Sequence, residues 1–173
     1  MAKPLQHLYE THHETGSRLR QTLLEKRRGE IFRSWIGIGK KVIDLGCRDG
    51  TLTRHFIDDN QVVGCDIDLN ALAHARDTYG IETHQVDLNG VLPFKDAEFD
   101  VAVMGEVLEH LPYWSITLAQ VHRILRGGGG LLAPCHSPII STIAGTYYAA
   151  ESYLQLTTQP MFNCFPTMIS FPE

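Results

Sequence analysis

A chain of 173 residues, 43% hydrophobic and 20% charged, has room for one domain with a real core, and its composition excludes wholesale disorder. No apolar run approaches the roughly 20 residues needed to span a bilayer, and the opening MAKPLQHLYETHHE lacks the apolar stretch of a secretory signal, so a cytoplasmic location with no membrane partner is expected. The net charge of −5 is unevenly spread: Arg18, Arg20, Lys26, Arg27, Arg28, Arg33, Lys40 and Lys41 precede the first clear strand, and the remainder is acidic.

Such a basic segment suits either an anionic partner or a solvated helix face; the second is the commoner arrangement, and nucleic acid is disfavoured as a partner. Between Ser17 and Ile36, Leu24, Ile31, Phe32 and Trp35 recur near the helical period, with Gly37 and Gly39 closing the stretch. Lys41 to Gly46 reads as a strand ending in a turn, and Thr51 to Asp59, with Leu52 and Phe56 four apart, reads as a helix. Gln61 to Asp66 is a second strand; Asp68 then caps a helix carrying Leu72, Ala75 and Tyr79 on one face and ending at Gly80.

Ile81 to Val86 is a more polar third strand suited to a sheet edge. Phe99 to Met104 is a fourth, followed by a helix over Trp114 to Leu125, a turn at Gly127 to Gly130, and a fifth strand from Gly130 to Cys135. Alternating strands and helices of these lengths predict an α/β fold, a doubly wound, mostly parallel sheet with right-handed crossovers. From Pro138 the stretch IISTIAGTYYAAESYLQL can form one more helix, and MFNCF and TMISF read as stunted strands. Three segments result: an arm and helix over 1–40, a core over 41–137, and a helix and short tail over 138–173.

In an open parallel sheet the ligand sits outside the carboxyl ends of the strands. Carboxylates gather there: Asp44 and the turn to Gly50 close strand one, Asp66 closes strand two, Asp87 follows strand three and Glu106 follows strand four. The dinucleotide pattern G-x-G-x-x-G fails, because position 48 is arginine and position 51 threonine. A nicotinamide-dependent oxidoreductase is therefore the weaker alternative. Acidic side chains suit a cation better than a phosphate, and Asp66 stands where a carboxylate at the end of strand two accepts ribose hydroxyls.

VIDLGCRDGTL, VVGCDID, FDVAVMGEVLEHL and RILRGGGGLLAPCHS, in this order, resemble the successive motifs of class I S-adenosylmethionine-dependent methyltransferases, in particular the small-molecule group with a VLEH segment. The resemblance covers about residues 41 to 137. It implies S-adenosylmethionine as cofactor, with Asp44, Gly46, Cys47, Arg48 and Gly50 around its methionine portion, Asp66 and Ile67 at the ribose and adenine edge, Asp87 and Leu88 at the adenine amino group, and Glu106 near the sulfonium. It also implies methyl transfer to a small-molecule acceptor. Arg48 departs from the family's usual middle glycine, and it is expected to point away from the ligand or to pair with a carboxylate such as Asp49.

Glu106, Glu109 and His110 form E-x-x-E-H. On a helix these side chains converge, yet no further ligand is placed for a metal, and none is assigned. His110 either packs below the pocket or serves as a general base; Glu106 and His110 are the candidate catalytic residues. Tyr9, beside His7, His12 and His13, can offer an aromatic face to a sulfonium if the arm folds over it. Tyr113 and Trp114 either wall the acceptor pocket or pack in the core. Cys47, Cys65, Cys135 and Cys164 have no C-x-x-C spacing and read as free thiols.

The family's seven-stranded sheet ends in an antiparallel pair after strand five. The short tail leaves the completeness of that pair open, and with it a silent domain acting through association, or a homodimer formed on an uncovered sheet edge.

Overall fold

The sheet is built on Lys41–Leu45 (β1), whose apolar run KVIDL is buried on both faces. In the computed structural model, which describes residues 18–133, 155–158 and 167–170, the elements follow in order: α1 (Arg18–Ile36), β1, β2 (Gln61–Asp66), α2 (Leu69–Tyr79), β3 (Glu82–Gln85), β4 (Phe99–Val103), α3 (Trp114–Ile124), β5 (Leu125–Leu132), β6 (Gln155–Thr158) and β7 (Thr167–Ser170). The strands lie in the order β3-β2-β1-β4-β5-β7-β6. The first five are parallel, whereas β7 runs antiparallel to both β5 and β6. Chain order therefore reverses between β1 and β4, which is where a doubly wound sheet opens a crevice at its carboxyl edge.

Alternation along the strands divides the core. Val42, Val101, Val103 and Leu132 face Phe32 and Ile36 of α1, together with Phe56. Ile43, Leu45, Ala102 and Leu131 face Leu118, Val121 and Ile124 of α3 on the other side. Apolar cover on both faces is why these strands read as nearly continuous hydrophobic runs. α2 is stopped as its sequence indicates: the Asp68 carboxylate accepts the N–H groups of Asn70 and Ala71, and Gly80 ends the helix in a left-handed conformation. β3 takes the sheet edge, with Ile81 and Val86 buried at either end of its exposed, polar stretch.

Three local expectations change. Thr51 to Asp59 forms only a single 3-10 turn, Thr53–His55. Thr53 turns its hydroxyl inward to Asp44 at 2.7 Å, and the Asn60 side chain donates to the carbonyls of Phe56 and Gly37, so local side-chain bonds replace helical ones. The glycine run is not a turn before β5 but a bulge within it, because α3 passes into β5 without a loop. Phe99 pairs with Leu125 and Val101 with Gly130, leaving extra residues on β5 that Gly128, at φ 77°, accommodates; a Cβ on Gly129 would stand 2.8 Å from the Arg126 carbonyl oxygen.

At the C-terminal end the antiparallel pair is present, with four residues in each strand. TMIS is β7 as read, but its partner β6 begins at Gln155, within the stretch read as helix. MFNCF and the rest of that helical reading lie outside the described residues, as do the N-terminal histidines and Tyr9.

Candidate functional site

Two turns meet at the switch point. The first follows β1: Gly46 (φ 84°), Cys47, Arg48 (φ 52°), Asp49 and Gly50 (φ 77°). The N–H groups of Gly46 and Cys47 both donate to the Cys65 carbonyl, at 2.7 and 3.0 Å, and Arg48 N–H donates to Asp66 Oδ2 at 2.9 Å. Gly50 N–H closes onto the Cys47 carbonyl, and Thr51 N–H onto Asp49 Oδ1. Asp66 Oδ1 takes the N–H of Asp68 at 3.0 Å. One carboxylate thus ties the turn after β1 to the turn after β2.

The second turn, Gly105-Glu106-Val107, follows β4. Glu106 has φ 60°, a left-handed conformation that costs a non-glycine residue about 1–2 kcal/mol. Its Oε1 meets Arg28 of α1 at 2.7 Å. Val107 lies over Gly46 so closely that a Cβ there would overlap Cγ2 of the valine, so this position has both the φ and the space of a glycine.

Between the turns opens a cavity of about 370 Å³. Its wall brings together Gly46, Arg48, Asp66, Ile67, Asp87, Leu88, Glu106 and His110, all singled out from the sequence. Asp44, Cys47 and Gly50, expected beside them, are buried behind the first turn and do not reach the wall. Sequence reasoning missed Val86, Asn89, Gly105, Val107 and Leu111. Asn89 had a signal in the turn VDLNG, where its N–H and side-chain amide both donate to Asp87 Oδ1.

Arg48 lies on the cavity wall, and its backbone N–H donates to Asp66, while Asp49 accepts from Thr51. Leu108–His110 is a single 3-10 turn, so the E-x-x-E-H residues do not share an α-helical face. Among the described residues no three His, Cys, Asp or Glu side chains are arranged to hold a metal ion. Trp114 packs on the core and Tyr113 is exposed; neither lines the cavity.

A family model for a methyltransferase domain matches residues 43–133. The chain belongs to that family. A ubiquinone biosynthesis O-methyltransferase of Nitrosococcus oceani is 31% identical over 97 residues, covering 53% of this chain and 41% of that protein. An O-methyltransferase of Penicillium expansum is 34% identical over 122 residues, covering 61% and 44%. The chain spans less than half the length of these curated relatives. Among solved structures, a SAM-dependent methyltransferase of Corynebacterium glutamicum superposes with a TM-score of 0.70 at 18% identity, covering 84% of this chain and 87% of that one, a likeness of fold.

S-adenosylmethionine is the cofactor that goes with this methyltransferase domain, and the cavity suits it. Three carboxylates, Asp66, Asp87 and Glu106, stand on a wall that also carries Arg48, Asn89 and His110 and the apolar side chains of Ile67, Val86, Leu88, Val107 and Leu111. The amide N–H groups of residues 46, 47, 48, 50 and 51 are all engaged within the protein, so the first turn does not offer the cluster of amides that cradles a pyrophosphate. A ligand with a cationic end and an uncharged nucleoside fits this donor set; a dinucleotide does not.

Behind the wall, burial pushes the Asp44 carboxyl up to about 7; the Thr53 hydroxyl opposes the shift, the Asp66 carboxylate adds to it and Arg28 opposes it. Burial likewise raises the Cys47 and Cys65 thiols, with Asp44 and Asp66 contributing. Both thiols are free and buried, which makes them inert side chains rather than nucleophiles. Within the basic stretch of α1, Arg28 meets Glu106 and Arg33 meets Asp59, while Arg27 pairs with Glu30 along the helix surface. No helix among the described residues is long and apolar enough to cross a membrane.

Proposed function

We propose that the protein transfers the methyl group of S-adenosylmethionine to a small-molecule acceptor at the cavity between the turns after β1 and β4. The observation that carries this reading is the pairing of a first turn whose amides at 46, 47, 48, 50 and 51 are engaged within the protein with a carboxylate-bearing wall. The relative named for ubiquinone biosynthesis supports hydroxylated aromatic and quinone-type compounds as the first acceptors to try.

The bound cofactor supplies an electrophilic methyl carbon. The chain's own groups bind and align. Each Asp66 oxygen accepts one backbone N–H and retains a second lone-pair direction for a ribose hydroxyl. Asp87 is held by Asn89 at one oxygen, and Ile67 and Leu88 offer apolar surface to a purine. Glu106 gives the wall a negative charge facing a sulfonium. His110, exposed at the rim, is positioned to take the proton of a hydroxyl acceptor. Alignment and exclusion of water are the protein's main contributions to such a transfer.

Calorimetry with S-adenosylmethionine, S-adenosylhomocysteine and NAD tests the reading. Binding of the first two and not the third is expected, with Asp66→Asn weakening it by about 10–100-fold through loss of charge-assisted hydrogen bonds. No heat from folded protein at millimolar S-adenosylhomocysteine overturns it. Labelled methyl transfer to catechols and hydroquinones then addresses the acceptor.

A further inference from the structure

We propose that Arg28 of helix α1 is a positioning residue for Glu106, holding that carboxylate in its left-handed backbone conformation at the cavity wall, so that α1 completes the site although it precedes the segment matched by the family model. This inference rests on the cavity being the S-adenosylmethionine site.

Glu106 has a backbone conformation that side-chain-bearing residues seldom adopt, and it keeps it in a half-buried turn. Something outside the turn must favour it. Arg28 Nη1 lies 2.7 Å from Glu106 Oε1, with both side chains about two-thirds covered, at 33% and 32% exposure. The guanidinium also lies on the Gly105 side of the turn: a Cβ added there would have Leu52, Arg28 and Phe32 as its nearest neighbours, with Arg28 Nη2 at 3.7 Å. An arginine bonded to the carboxylate from outside the turn restrains the side chain of Glu106 and, through it, the backbone that carries it.

The arginine can do this because its helix is fixed. Phe32 and Ile36 are buried in the core on the α1 face of the sheet. Gly29 packs against the His55 ring with no space for a Cβ, and Glu25 accepts from Arg54 at 3.0 Å and contacts His55 at 2.7 Å. Arg28 is therefore presented from a docked helix, not from a loose arm. Its charge also bears on Asp44 behind the first turn, so one cation serves carboxylates at the ends of both central strands.

The affinity for S-adenosylhomocysteine and the melting temperature are to be measured for the parent, Arg28→Met, Arg28→Lys, Glu106→Gln and Arg28→Met/Glu106→Gln. Arg28→Met is expected to raise Kd about tenfold and Arg28→Lys much less, while adding Arg28→Met to Glu106→Gln changes Kd by less than about twofold. A full tenfold loss in the Glu106→Gln background shows Arg28 acting on its own and overturns the proposal, as does an unchanged Kd in Arg28→Met. If Arg28→Met does not fold, the same cycle is read with Arg28→Gln, which also removes the charge, and additivity there is equally fatal. A parent that binds nothing removes the cofactor reading and this inference with it; a parent that binds while Arg28→Met matches it removes only this inference.

Discussion

Asp44 and Glu106 stand at or just beyond the carboxyl ends of two adjacent parallel strands, with Asp44 in register with Val103, yet they are handled in opposite ways. Asp44 is 3% exposed and takes a hydroxyl, that of Thr53, and its proton is held to about pH 7 by burial. Glu106 stays a third exposed, on the cavity wall, and meets a guanidinium. The difference lies in what covers each strand end: the 3-10 turn and the core close over β1, whereas a charged position of α1 reaches the turn after β4. Carboxylates at neighbouring strand ends are thus not interchangeable. One is a buried support for the first turn, and the other stands on the cavity wall.

The largest expected effect separates the two by pH. A carboxyl raised from 3.8 to about 7 on folding binds its proton more tightly in the native state. Its contribution to stability is therefore complete below about pH 4 and is lost as pH rises through about 7. The parent is expected to lose up to roughly 4 kcal/mol of stability between pH 4 and pH 8 from this group, the upper limit for such a shift. Asp44→Asn, which keeps an acceptor for Thr53, is expected to flatten that slope in urea unfolding at the two pH values. An unaltered slope shows that Asp44 is ionised and served by something else.

The next effect concerns the contact that joins the turns. Gly46→Ala places a methyl group into Val107 in a backbone conformation that alanine resists, and is expected to cost about 2–4 kcal/mol by denaturant unfolding. A loss below about 0.5 kcal/mol would mean that the two turns are not locked together. The smallest effect is at Arg48. Arg48→Gly relieves a left-handed arginine but adds unfolded-state freedom, so stability is expected to rise by less than about 1 kcal/mol. The same variant sharpens the comparison through binding: because the Arg48 N–H to Asp66 survives the substitution, cofactor affinity is expected to change by less than about threefold, a ratio worth under 1 kcal/mol. A larger gain means that the arginine side chain obstructs the cavity.

Much of this protein is decided along the chain itself. The runs KVIDL, QVVGCD and FDVAV are strands because residues buried on both faces must be apolar in succession, and the Asp68 cap and Gly80 stop act within a few residues of where they stand. Asp66, Asp87 and Glu106 were legible as wall residues because a parallel sheet places every strand's carboxyl end on one edge. Gly46, Arg48, Ile67, Leu88 and His110 were singled out as well, whereas Val86, Asn89, Gly105, Val107 and Leu111 were not. Whether Asp44 or Gly46 faces the cavity depends on how Thr53 and Val107 fold over the first turn. The glycine run became a bulge because its register is set by β4, not by its own composition. The partner of β7 came from a segment with helical periodicity for the same reason, since strand pairing is satisfied across the chain rather than within it. The link between Arg28 and Glu106, 78 residues apart, has no signature in sequence, because an ion pair needs only proximity and the sheet alone determines who is near whom.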